Sequence, residues 1–339
     1  MAHRQRAFFV IALLAIFSAA SLVLAVSVGS LTVSFSDVFH ALFGPFFSGQ
    51  ETSNTAIEVV RNLRLPRALA AFACGGLLAM AGALMQVLLR NPLADPYVLG
   101  VSGGASLGAL GAMLFGLPLI FLHGGAFIGA LIAVLLVFGL ARGDGSWTRA
   151  RLLLTGVIVA AGCGAVITLI LTIAPEQQLR GMLFWLMGDL SHAGSPSWAL
   201  IVLVVGLLAT LPFSRDLNLL ARGDLTAQSL GVSVSRLRLV VYGLSALFTA
   251  VAVTTTGNVG FVGLIVPHWV RLVLGNDQRV LLPAVVLAGG TLLTLADTLA
   301  RTIVAPLQLP VGVLTALIGV PVFLYFLARD SRNHQGGAA

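Results

Sequence analysis

One pair of opposite charges lies inside an apolar stretch of this chain. Asp297 and Arg301 are four residues apart, so on a helix they share a face and can form an ion pair. Such a pair lowers the cost of placing charge in a membrane, and we favour this interpretation over a proton relay. His268 follows Pro267 near the end of another apolar run, where we favour a polar contact at a helix end over metal ligation.

The sequence contains few other residues whose type and spacing indicate a reaction or a ligand. All 19 basic residues are arginine, so the lysine that a phosphate-binding P-loop requires is missing, and ATP hydrolysis by that route is excluded. The arginines are scattered rather than interleaved with aromatic residues, which argues against nucleic-acid binding. Cys74 and Cys163 lie in apolar runs without metal or redox spacing. We therefore expect no catalytic residue, no metal site and no cofactor bound by this chain.

The elements that position these residues follow from composition. Of the 339 residues 58% are hydrophobic and 9% are charged, and the mean hydropathy is +1.02. Soluble domains carry roughly 25% charged residues, so the chain is predicted to be an all-α polytopic membrane protein. Its polar breaks delimit ten spans, the first an uncleaved helix, near residues 7–29, 66–88, 98–117, 124–141, 151–173, 197–213, 237–256, 260–274, 281–303 and 311–328.

The distribution of arginine predicts the orientation. Ten spans put both termini on one side, and with that side in the cytoplasm fourteen arginines are cytoplasmic and five are outside. This asymmetry satisfies the positive-inside rule. It also places the polar stretch 214–238 in the cytoplasm.

Small residues predict close helix packing. Gly100, Gly104 and Gly108 form two overlapping GxxxG steps, and such steps let helix backbones approach each other in a membrane. We also expect these glycines to leave room for a bulky ligand beside a translocation pathway.

The polar stretch 214–238, here called the coupling segment, has features of a docking element. Asp224 is predicted to cap a short helix that Gly231 ends. An apolar stripe of this segment can enter a groove of a soluble partner, and its members are Leu219, Leu220, Leu225 and Leu230. A solvated loop is the alternative.

The sequence resembles the iron-chelate and vitamin B12 importer permeases of the ATP-binding-cassette class. The segment RGDLTAQSLGV (222–232) is similar to their coupling region, and LRLPR (63–67) with NPLADPYVLGVSGGAS (91–106) is similar to two other signatures. Further blocks match in the same order: GNVGFVGLIVPHWVRL (257–272), NDQRVLLPAVVLAGG (276–290), ADTLAR (296–301) and QLPVGVLTALIGVPVF (308–323). These blocks span some 260 residues.

This resemblance implies the type II importer fold, with 1–339 as a single transmembrane domain and a flexible tail near 329–339. It implies a homodimer in the bacterial inner membrane, two copies of a cytoplasmic ATPase and a periplasmic solute-binding protein. Arg64, Arg67 and Arg301 would receive carboxylates of the binding protein, because a guanidinium grips a carboxylate with two hydrogen bonds. The ATPase would contact Leu220, Arg222, Gly223, Asp224, Leu225, Thr226, Gln228, Leu230 and Gly231.

The cargo and the gate are less well defined. Arg180 lies shortly before Phe184, Trp185 and Met187. On the pathway, Arg180 could bind a propionate of haem and the other three could contact its ring. Alternatively, these residues belong to a packed outer helix. Ferric siderophores and cobalamin remain alternatives to haem. Before RLLLTG the chain reads Trp147, Thr148, Arg149 and Ala150 where the vitamin importer has small polar residues at the last two positions, so gate details are not transferred.

Two other classes of protein remain as alternatives. An ion-coupled secondary transporter would need carboxylates within its spans, but of the twelve acidic residues only Asp297 lies well inside one. A purely structural membrane component would not need the amphipathic coupling segment. Neighbouring genes for an ATPase and a secreted binding protein would favour the importer.

Overall fold

The computed structural model describes residues 2–29, 31, 33–34, 36–41, 55–141, 149–191 and 193–335. Regular structure in these ranges is helical. The helices are α1 Ala2–Ser27, α2 Thr55–Leu89, α3 Val101–Leu114, α4 Leu119–Ala141, α5 Arg149–Ile173, α6 Glu176–Leu186, α7 Ser197–Thr210, α8 Ser214–Arg222, α9 Asp224–Ser229, α10 Val234–Thr256, α11 Val262–Leu274, α12 Gln278–Thr302 and α13 Val311–Gln335.

The predicted spans each correspond to one apolar helix. Seven continuous helical stretches in the described ranges are long and apolar enough to cross a membrane, and one of them is the run Ser197–Arg222 that joins α7 to α8. Three shorter apolar stretches, at Val101–Leu114, Val262–Leu274 and the first part of α13, Val311–Tyr325, complete the set of ten. The prediction of about ten transmembrane helices is thereby confirmed.

Two boundaries differ from the prediction. The second span was expected to begin at residue 66, but α2 begins at Thr55 because a π-helical stretch, Val60–Arg64, continues directly into the α-helix at Leu65. Pro66 lies just after this junction and has no N–H, so it cannot donate a backbone hydrogen bond to the preceding turn. At the other end of the chain, α13 continues to Gln335, beyond the predicted end of the last span at residue 328.

Helix α2 lies at the centre of the bundle and packs against α12, α10, α11 and α7. Glycines permit its closest contacts. A Cβ added at Gly75 would lie 2.2 Å from the carbonyl oxygen of Gly289 on α12, and one at Gly82 would lie 1.8 Å from that of Gly263 on α11. Any side chain at these positions would push the helices apart, which is why small residues dominate this interface.

The outer surface of the bundle is apolar. Phe8 and Phe115 are each 78% exposed and Ile120 is 73% exposed, and α5 is hardly buried by the rest of the subunit. So large an apolar surface is stable only against lipid or another subunit.

Candidate coupling and docking sites

A buried ion-pair cluster joins the beginning of α2 to the end of α12. The side chain of Asp297 is 1% exposed and accepts hydrogen bonds from Arg67, at 2.8 Å from Nη2 to Oδ1 and 3.1 Å from Nε to each carboxylate oxygen. Its Oδ2 also lies 3.1 Å from Nε of Arg301. The predicted pair between Asp297 and Arg301 is confirmed, and Arg67 is a further partner that sequence spacing could not reveal.

Arg64 belongs to the same region but binds backbone rather than carboxylate. It is buried, and its Nη1 donates to the carbonyl oxygens of Val26 at 3.1 Å and Ser27 at 2.9 Å. Its Nη2 donates to the carbonyl oxygen of Leu31. This guanidinium therefore satisfies the carbonyl groups at the end of α1, which have no partner within the helix.

The three arginines, which together with Asp297 are here called the arginine cluster, border a cavity of about 360 Å³. Three guanidinium groups and one carboxylate leave an excess of two positive charges beside it. Asn62, Ser191 and Gln308 add polar groups to the wall, and Nη1 of Arg67 donates to Oε1 of Gln308 at 2.9 Å. The cluster can therefore attract a carboxylate at the cavity mouth.

The structure thus brings Arg64, Arg67 and Arg301 together, as the docking prediction requires. They are not free surface groups, however. Arg64 is 5% exposed and Arg301 is 9% exposed, and each already has internal partners. Arg67 has the largest exposed fraction of the three, 13% of its side chain, so it is the arginine best placed to meet another protein.

At the opposite end of α2, the coupling segment forms α8, α9 and the first turn of α10. The short helix is confirmed, and Gly231 ends it with a φ of 84°, a left-handed conformation that glycine adopts readily. The predicted cap is wrong. Gly223 occupies the N-cap position, and Asp224 is the first residue of the helix.

Two arginines bind the Asp224 side chain instead. Nη2 of Arg90, the residue directly after α2, lies 2.6 Å from Oδ1, and Nη2 of Arg238 on α10 donates to Oδ2 at 2.6 Å. The three side chains are 18–30% exposed. Ion pairs with this access to water contribute about 0.2–1 kcal/mol each to folding, so they are weak supports of the fold.

The leucines of the coupling segment divide into two groups. Leu225 is 82% exposed and Leu230 is 56% exposed, as a docking surface requires. Leu220 is 1% exposed and is therefore not available to a partner, and Leu219 is half-buried against the core. The reason is the helical spacing of α8, which turns Leu220 inward together with Leu217.

A second link ties α8 to α12. Nδ2 of Asn218 donates to Oδ1 of Asp277 at 2.8 Å, and its Oδ1 accepts from the backbone N–H of Gln278 at 2.9 Å. The coupling segment is therefore anchored to α12 through α8 and to α2 and α10 through α9.

Two glycines of α3 are in close contact with helix α4. A Cβ at Gly104 would lie 2.2 Å from the carbonyl oxygen of Gly129, and one at Gly108 would lie 1.9 Å from that of Gly125, both on α4. Gly100 precedes α3 with a φ of 72° and is buried. The packing interpretation of these glycines is confirmed, and their place beside a translocation pathway stays a prediction.

Arg180 lies on α6 and is exposed, with its guanidinium carbon 5.5 Å from the centre of the Phe184 ring. Trp185 is 5% exposed and packs inside the subunit, so it cannot stack on a cargo ring in this conformation. Met187 is 37% exposed. Of the four residues named before RLLLTG, Trp147 and Thr148 lie outside the described residues, and Arg149 and Ala150 are the first residues of α5.

Comparison with known proteins agrees with this architecture. The model of the FecCD transport family matches residues 13–329. A hemin transport system permease of Yersinia pestis is 41% identical over 321 residues, covering 91% of this chain and 92% of that protein. A vitamin B12 import system permease of Escherichia coli O139:H28 is 40% identical over 277 residues, covering 80% and 84%.

A solved structure has the same fold. An inward-facing metal-chelate type transporter of the ATP-binding-cassette class superposes with a TM-score of 0.81 at 29% identity, covering 94% of this chain and 98% of that one. None of these similarities supports an ion-coupled carrier. The family match and the relatives show that this chain belongs to the FecCD transport family and is a membrane-spanning permease subunit of an ATP-binding-cassette transporter.

Proposed function

We propose that this permease imports a metal chelate, namely haem, cobalamin or a ferric siderophore, across the bacterial inner membrane. Two copies enclose the pathway, two copies of a cytoplasmic ATPase drive it, and a periplasmic binding protein delivers the cargo. The subunit binds no cofactor of its own and performs no chemistry on the cargo. The cargo class is supported by relatives named for hemin and vitamin B12 transport.

The observation that carries this proposal is the arrangement of two different surfaces at the ends of α2. A positively charged cavity lies at one end, and the exposed leucines Leu225 of α9 and Leu230 just after it lie at the other. Carboxylates of the binding protein approach Arg67 and Arg301 at the cavity. The exposed residues of α9 enter a groove of the ATPase, as amphipathic helices do.

The orientation in this proposal is the one that the arginine distribution favours. With both termini in the cytoplasm, the coupling segment is on the side where ATP is available and the arginine cluster faces the periplasm. ATP binding draws the two ATPases together, and α8 and α9 pass this movement to the transmembrane helices. Access to the pathway alternates without any bond being made or broken in the cargo.

Uptake by purified components tests the proposal. Permease and its ATPase are reconstituted in liposomes, and haem, cobalamin or a ferric siderophore is supplied on the purified binding protein. We expect one of the three to accumulate only when hydrolysable ATP is present on the ATPase side. Accumulation that follows an ion gradient without nucleotide would contradict the proposal.

The ATPase contact has its own test. Replacing Leu225 with glutamate places a charge where the proposal requires an apolar anchor, so we expect the amount of co-purified ATPase to fall about tenfold or more. Ser235→Glu is the control, since it adds the same charge to an exposed position in the first turn of α10, outside α9. Equal amounts of ATPase with both variants would show that Leu225 is not an anchor.

A further inference from the structure

The side chain of Asp224 joins the short helix α9 to two transmembrane helices at once. Its two carboxylate oxygens bind separate arginines, Arg90 after the end of α2 and Arg238 on α10, each at 2.6 Å. We propose that these three residues, the Asp224 fork, are the contact through which movement of α9 reaches α2 and α10. This inference rests on the proposed function, because it assumes that an ATPase moves α9.

The backbone around α9 is suited to movement as a unit. The helix is bounded by Gly223, with a φ of 136°, and Gly231, with a φ of 84°, and side chains rarely tolerate either conformation. Between them, Ala227 is the buried residue, whereas Leu225 and its neighbours face outward. The Asp224 fork is therefore a principal side-chain link between α9 and the bundle.

The two arginines of the Asp224 fork lie at α2 and α10, two helices that pack against each other. Arg90 is held by the end of α2, since its backbone N–H donates to the carbonyl oxygen of Val87 at 3.3 Å. Helices α2 and α10 pack along their lengths, and Oγ of Ser245 on α10 donates to the carbonyl oxygen of Ala81 on α2 at 3.1 Å, away from water. A pull on Asp224 therefore acts on both helices in the same direction.

Helix α2 also connects the Asp224 fork to the arginine cluster at the opposite side of the membrane. Arg67, which binds Asp297, and Arg90, which binds Asp224, are 23 positions apart, or about 35 Å along a helix that rises 1.5 Å per residue. The intervening helix is almost completely buried. A rigid, packed helix of this kind transmits a displacement at one end to the other.

The experiment uses the full permease–ATPase complex and a cysteine reporter at the far end of α2. Cys74 and Cys163 are replaced by alanine, and Leu63, which is 64% exposed beside the arginine cluster, is replaced by cysteine. The rate of its labelling by a maleimide is measured with and without ATP. We expect ATP to change this rate in the complex with an intact Asp224 fork.

Arg238→Gln is the test variant, because Arg238 lies outside the surface proposed to touch the ATPase. We expect it to reduce the ATP-dependent change in labelling about fivefold or more while the amount of co-purified ATPase stays the same. Arg238→Lys should restore part of the change, since it keeps the charge. Arg236→Gln is the matched control, an exposed arginine on the same helix whose loss removes the same charge, and it should leave the change intact.

The outcomes separate the two proposals. An undiminished ATP-dependent change in Arg238→Gln overturns the Asp224 fork and leaves the proposed function standing. Loss of ATPase from that variant also overturns the fork as a transmitting contact, since its role would then be to hold the partner. An intact complex in which ATP changes neither labelling nor uptake overturns both.

Discussion

Replacing Asp297 with asparagine is expected to lower the free energy of unfolding of the permease by about 3–5 kcal/mol. The carboxylate is 1% exposed and is the shared partner of Arg67 and Arg301. An asparagine of the same size keeps the volume but leaves two neighbouring guanidinium groups, both largely removed from water, without their counter-charge. Breaking a buried pair from one side costs more than the intact pair contributes, because an uncompensated charge remains.

The measurement is unfolding of the purified permease in detergent, followed by heat or denaturant. Glu58→Gln is the control, since it removes the same charge from an exposed position on the same end of α2. Asp297→Asn should unfold well below the native protein, and Glu58→Gln should unfold close to it. Similar stability of the two variants would mean that water reaches the arginine cluster and screens it.

The transmembrane architecture was predictable because a membrane imposes a length and a composition on each helix. The residue at which α2 begins was not predictable in this way. Residues 60–67 include three arginines, and their polarity indicated a break between helices. In the structure Arg64 turns inward to carbonyl groups at the end of α1, so a charged residue stabilises a helix junction instead of marking a loop.

The members of the sites were predictable in part. The pair Asp297 and Arg301 follows from helical spacing, but Arg67 lies 230 positions before Asp297, and Arg90 lies 134 positions before Asp224. Partners so far apart in sequence are chosen by packing, which a single sequence does not display. The same limit explains Leu220, because apolar character alone does not say whether a leucine faces its own core or another protein.

The contacts that the glycines of α3 make could not be predicted from their small size alone. Small residues in α3 were compatible with close packing and with an open pathway, and the sequence permitted both. The distances at Gly104 and Gly108 show close packing at these two positions, since the carbonyl oxygens of α4 occupy the space that a side chain would need.

Replacing Gly108 with alanine is therefore expected to destabilise the permease by about 3 kcal/mol or more, at the upper end of the range for overpacked cores. The added Cβ would lie 1.9 Å from the carbonyl oxygen of Gly125, and a backbone atom cannot rotate away as a side chain can. Helices α3 and α4 must separate along their contact, which also loosens the facing pair of Gly104 and Gly129.

Gly111→Ala provides the matched control, because it lies on the same helix three residues further on and a Cβ there would meet nothing within 4 Å. Alanine favours a helix over glycine by about 1 kcal/mol, so this variant should be as stable as the native protein or slightly more so. The two substitutions, identical in chemistry, should thus shift thermal unfolding in detergent in opposite directions. If both lowered it equally, the cost would come from changing any glycine of α3, and the close contact between α3 and α4 would not be what holds this part of the bundle together.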